Sequence, residues 1–63
     1  MKYIKDGKQH VIRPIHICEV NEQDKGTEII LVNGNSILLE EDFQTVYNVV
    51  FNDSSEILNA KSD

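Results

Sequence analysis

The 63-residue chain has one cysteine, one proline, three glycines and no tryptophan. No stretch stays apolar for the roughly eighteen residues that a membrane-spanning helix requires. The lone thiol, Cys18, leaves no intrachain disulfide to form and suits a reducing compartment. The opening "MKYIKDGKQH" has no apolar core of the kind a secretory signal carries. Together these absences set the expectation of a cytoplasmic protein. Gly7, Gly26 and Gly34 stand apart, in neither the G-x-G-x-x-G nor the P-loop spacing, so no phosphate-cradling loop and no nucleotide cofactor is expected.

A chain this short buries only about 60% of the surface it exposes when unfolded, which limits it to one domain. With disulfides excluded, further stabilisation has to come from a structural metal or from self-association. The formal charge is −5, and it is unevenly spread. Residues 1 to 13 carry Lys2, Lys5, Lys8 and Arg13 against Asp6, or +3; residues 14 to 63 carry Lys25 and Lys61 against ten acids, or −8. A basic N-terminal hairpin on an acidic body can touch phosphate locally, while the field of the whole molecule repels a polyanion.

In "YIKDGKQHVI", Asp6-Gly7 separates two runs of strand formers and supplies the positive φ angles of a two-residue hairpin turn. That register sets Lys5 opposite Lys8, an unfavourable like-charge pair. In "VIRPIHICEV", Pro14 has no amide hydrogen and predicts a bend or an edge position. Beyond it, strand alternation puts Ile15 and Ile17 on one face and His16, Cys18 and Val20 on the other. The polar run "NEQDKG", 21 to 26, reads as a loop.

"EIILVNGNSILLEEDF" contains a second hairpin with two candidate turns, Gly34-Asn35 and Asn33-Gly34. The first is preferred, because it sets Val32 opposite Ile37 and Ile30 opposite Leu39 on one aliphatic face, leaving Ile29, Leu31 and Leu38 on the other. Phe43, Val46, Tyr47 and Val50 follow at the spacing of a buried helical stripe, after three acids that suit a helix N-terminus. A strand over Phe43 to Phe51 also fits the alternation, but it would draw three consecutive acids into a sheet. Asn52 is a candidate C-terminal cap.

Few side chains combine into reactive constellations. His10, His16 and Cys18 give three candidate soft-metal ligands where a structural zinc site takes four, so no metal is expected. His16 and Cys18 would point in parallel from one strand, not toward each other as a nucleophile and its base must. Helix-end electrostatics suffices to explain Glu40, Glu41 and Asp42. Lys2, Tyr3, Lys5, Lys8 and Arg13 form the candidate nucleic-acid contact, with cations for phosphate and one ring for base stacking.

The segments "IKDGKQHVI", "IHICEV" and "TEIILVNGNSILLEEDFQTVYNVV" resemble the FlbD/SwrD family of small flagellar motility proteins over about residues 2 to 50. The resemblance lies in an isoleucine and glutamate pair, a threonine with aliphatics before an Asn-Gly turn, and an acidic helix with valines. Pro14 and "NEQDKG" depart from that pattern. The resemblance implies a non-enzymatic accessory protein and brings no catalytic or ligand-binding residue with it. The strand, turn and helix order is also distantly similar to LytTR-type DNA-binding domains, which are longer and basic.

The resulting expectation is an α+β fold, a small antiparallel sheet of four or five short strands with one C-terminal helix packed on it. Residues 1 to 52 form the domain, and 53 to 63 a flexible tail. Aliphatic residues on both sheet faces with one helix to cover them predict a homo-oligomer. Ile15, Ile17, Ile29, Leu31 and Leu38 are the candidate protein interface. The expected function is that of a small regulatory or adaptor protein that is no enzyme and binds an unnamed protein through a sheet edge or an exposed apolar face. The alternative is a regulator that binds or mimics nucleic acid.

Overall fold

The Asp6-Gly7 turn forms as expected: both residues have positive φ, 53° and 77°, the combination that matches the right-handed twist of a tight hairpin. It joins β1 (Lys2–Lys5) to β2 (Lys8–Val11) in the computed structural model of the chain, which describes residues 1 to 62. Lys5 pairs with Lys8 and Tyr3 with His10, so the like-charge opposition is real. Pro14 opens a single 3-10 turn, Pro14–His16, in which the His16 N–H donates to the Arg13 carbonyl at 2.9 Å. This turn corrects the extended reading of Ile15 and His16, and Ile15 projects into solvent with 78% of its surface exposed.

Strand β3 (Ile17–Glu22) pairs antiparallel with β4 (Thr27–Leu31), and a bulge between Ile17 and Glu19 absorbs Cys18 as the extra residue. The bulge resets the alternation, so that Ile17 and Val20 both pack toward the core and Cys18 is exposed. Val20 therefore shares the inner face with Ile17, contrary to simple alternation. The first two residues of the polar run expected to be a loop extend β3, Asn21 pairing with Glu28 and Glu22 with Thr27, and the remaining four, Gln23 to Gly26, form a tight turn closed by the Gln23 N–H on the Gly26 carbonyl.

The hairpin between β4 and β5 (Ser36–Leu39) adopts neither expected register. Ile29 pairs with Ile37 and Thr27 with Leu39. The Gly34 N–H closes a turn on the Leu31 carbonyl, and the Leu31 N–H donates to the Asn35 carbonyl. Gly34, at φ 90°, takes the left-handed position of a three-residue connection. The odd-numbered residues Thr27, Ile29, Leu31, Ile37 and Leu39 thus turn inward, and Ile30 and Leu38 turn outward.

Helix α1 (Phe43–Phe51) starts at Asp42, whose carboxylate accepts the Thr45 N–H at 2.9 Å. The buried stripe is Val46, Val49 and Val50, with Tyr47 rotated out to the surface. Asn52 caps the end as expected, and Asp53 takes the left-handed conformation that reverses the chain. The stretch expected to be a flexible tail carries a further strand, β6 (Leu58–Asn59), which runs parallel to β1 and places Leu58 in the core. Asp63, the last residue of that expected tail, lies outside the described residues.

The sheet is accordingly two three-stranded sheets, β2-β1-β6 and β3-β4-β5, where one sheet of four or five strands was expected. Leu39 and Ala60 bridge them. Ile29 and Leu39 from one sheet, Leu58 and Ala60 from the C-terminal stretch, and the three helix valines form the core. It is wholly aliphatic, and it needs the C-terminal stretch to be complete. None of the helices formed by the described residues is long and apolar enough to cross a membrane.

Candidate functional site

The five candidate nucleic-acid contacts do not form one surface. The β1–β2 register places Tyr3, Lys5, Lys8 and His10 on one face of the hairpin and Lys2 on the other with Val11. Tyr3 and His10 are stacked, with ring centroids 4.9 Å apart and planes 10° from parallel. Tyr3 is half-buried and packs on the core with one side of its ring already covered by histidine, so it presents less of a free platform than an exposed aromatic would. Arg13 lies beyond the hairpin, in the link to the 3-10 turn. His10 belongs to the basic face that the sequence suggested. The cross-strand pairing to Tyr3 is the signal that would have found it.

The five candidate interface residues also separate. Ile29 is completely buried and therefore part of the core; Ile17 and Leu31 are half-buried against it. Ile15 and Leu38 remain exposed. The apolar surface that does exist was only partly anticipated. At the end of β2 an open groove of about 590 Å³ runs between Val11, Ile12, Leu31 and Val32, with Arg13 and His16 at its polar side. Val11 is 71% exposed and Val32 61%. The Val32 N–H donates to the His16 carbonyl at 2.8 Å, which holds the β4–β5 turn against the 3-10 turn and fixes the groove's two walls.

A second apolar stripe lies on α1, where half-buried Phe43 and exposed Tyr47 and Phe51 follow one another four residues apart. Their ring centroids are 6.1 Å and 4.9 Å apart. Phe43 and Tyr47 were expected in the buried stripe. The helix instead buries its valines, and leaves Phe43 half-buried and Tyr47 exposed.

Polar chemistry is spent on structure. The Glu41 carboxylate accepts the Asn59 backbone N–H at 2.9 Å and its side-chain amide at 2.8 Å, fastening β6 to the start of the helix. Thr27 is buried and its hydroxyl donates to the Glu41 carbonyl. Hydrogen bonds from Thr45, its side chain first and its backbone N–H second, hold the Asp42 carboxyl below the usual carboxylate range. Among the described residues no three His, Cys, Asp or Glu side chains lie where they could hold one metal ion. His16 lines the groove, His10 stacks on Tyr3, and Cys18 is exposed on the bulge.

Two strand edges complete the inventory. Among the described residues β2 pairs on one side only, with β1, and β3 only with β4. All four residues of β2 are exposed. No protein-family model, curated protein or solved structure matches the chain.

Proposed function

We propose that the protein is a non-enzymatic regulatory or adaptor protein that works by binding another protein at the end of β2, through the apolar groove and the adjoining strand edge. The observation that carries this reading is the position of Val11. It ends an edge strand and also forms one wall of the groove. A partner segment can add to the edge through backbone hydrogen bonds and seat an apolar side chain between Val11 and Val32, the combination by which strand addition gains both affinity and selectivity. Arg13, His16 and Asn33 line the groove beside the exposed valines, and docking patches commonly have such a polar rim.

The second reading is nucleic-acid contact, favoured by the shared face of Tyr3, Lys5, Lys8 and His10. It is the weaker one, because the ring is already stacked and the chain carries −5 overall. The two readings separate on variants. Val32→Glu should abolish binding under the first and leave it intact under the second; Lys5→Glu with Lys8→Glu should do the reverse and remove a steep salt dependence. Cytoplasmic location and a self-associating form belong to the same proposal.

A further inference from the structure

Both ends of the strand series are open and carry opposite charge. Read across the Leu39–Ala60 bridge, the order is β2-β1-β6-β5-β4-β3, so β2 and β3 are the two terminal strands. Their outward backbone groups follow from ladder alternation. Ile12 donates its N–H to the Met1 carbonyl, so His10 and Lys8 also turn their backbone toward β1, and Gln9 and Val11 turn theirs outward. Gln23 donates to Gly26, so Asn21 faces β4 while Val20 and Glu22 turn outward. On β3 the regular stretch after the bulge is Glu19–Glu22, four residues, matching the four of β2.

We infer that copies of this chain assemble head to tail, the β2 edge of one pairing antiparallel with the β3 edge of the next so that the face carrying Lys8 and His10 meets the face carrying Glu19 and Asn21. The inference rests on the reading of these edges as protein-binding surfaces and names the partner as a second copy. Charge selects this arrangement over the symmetric ones. Pairing β2 with β2 would add lysine to the Lys5–Lys8 opposition already present, and β3 with β3 would bring two acidic edges together. Pairing β2 with β3 brings acids to the one place where two lysines face each other. Asp6, the sole acid of the basic hairpin, is occupied in the turn, its carboxylate accepting the Ser62 hydroxyl at 2.7 Å. A lysine on an edge strand ordinarily deters pairing with another edge; against a glutamate-bearing edge it becomes the attractive element. The interface joins unlike surfaces, so it builds a ring or a filament, not a two-fold dimer.

The test is sedimentation velocity on the full chain across a concentration series, at low and high salt. The native protein should form species larger than two chains that dissociate as salt rises. Lys8→Glu and Glu19→Lys should each weaken association more than about tenfold, since each sets like charges across the interface, and a one-to-one mixture of the two should reassemble. Val11→Pro, which removes an outward N–H and spares the β1 ladder, should also be monomeric; circular dichroism shows whether each variant is folded. A native chain monomeric throughout, assembly that survives either charge reversal, or a mixture that stays monomeric would overturn the inference. A monomeric chain whose capture of another protein still depends on Val32 would overturn self-assembly alone and leave the protein-binding reading standing.

Discussion

Leu39 and Ala60 form the antiparallel bridge at which the two three-stranded sheets meet, both within the core. Around them the Ala60 N–H donates to the Ile4 carbonyl, the Glu40 N–H to the Asn59 carbonyl and the Lys61 N–H to the Leu38 carbonyl, each at 2.8 Å. The C-terminal stretch is thus bonded to β1 on one side and to β5 on the other. A domain this small has little core to spare, which makes this stretch a requirement for folding.

Leu58→Ala should therefore cost about 2 to 5 kcal/mol, the range for truncating a fully buried leucine. Urea unfolding of the variant checks it. Removal of residues 57 to 63 should leave no cooperative transition. A truncated chain that unfolds at the native urea midpoint would show that the strand is dispensable.

The glycines should differ sharply from one another. Gly26 and Gly34 both have φ near 90°, but an added Cβ at Gly34 meets nothing, whereas at Gly26 it would overlap the Leu39 carbonyl oxygen. Gly34→Ala should cost about 1 to 2 kcal/mol, the strain of a left-handed alanine. Gly26→Ala should cost clearly more, because backbone of β5 must move. Equal midpoints in thermal unfolding would contradict the close approach.

Asp42 gives a stability contribution with a definite pH dependence. Its carboxyl is held low by Thr45, so the folded state binds the proton more weakly than the unfolded chain does. The contribution is complete above the usual aspartate value of about 3.9 and is lost as pH falls through the lowered folded value. Asp42→Asn keeps an acceptor for the Thr45 N–H without the charge. The gap between native and variant stability should accordingly narrow on acidification, as followed by chemical denaturation at a series of pH values.

The Lys5–Lys8 opposition predicts a gain. Lys8→Glu converts a like-charge cross-strand pair into an attractive one and should stabilise the folded chain by about 0.2 to 1 kcal/mol. A higher thermal midpoint, largest at low salt, is the expected result. The same variant is predicted to lose self-association, so the two effects separate folding from assembly.

What was legible in the residues was mostly local. Asp6-Gly7 specifies its own turn, and the acids before Phe43 specify a helix start, because each device acts within four residues of itself. The three-residue connection at Gly34 was not legible. Asn33-Gly34-Asn35 supports several turns, and the choice is made by burial of Ile29, Ile37 and Leu39 against the helix. Cys18 gave no sign of being a bulge, so Val20 was placed on the wrong face. The largest omission was β6. Two residues of strand have no periodicity to read, and Leu58 is held by pairing with β1, more than fifty positions earlier in the chain. The candidate interface suffered accordingly: with the register shifted, Ile29 passed from surface to core and Val11 and Val32 were overlooked. Val32 is visible in hindsight as an aliphatic residue inside a turn, where burial is rarely available.

The measurement that tests the account most directly is affinity capture from a lysate of the source organism, with and without nuclease, comparing the native chain with Val11→Glu and Val32→Glu. Both positions are well exposed, so both variants should keep native stability within about 0.5 kcal/mol. The account predicts a stoichiometric protein partner that survives nuclease and is lost from both variants. Recovery of nucleic acid alone, or of proteins that leave with nuclease and remain on both variants, would contradict it and move the site to Lys5, Lys8, Tyr3 and His10.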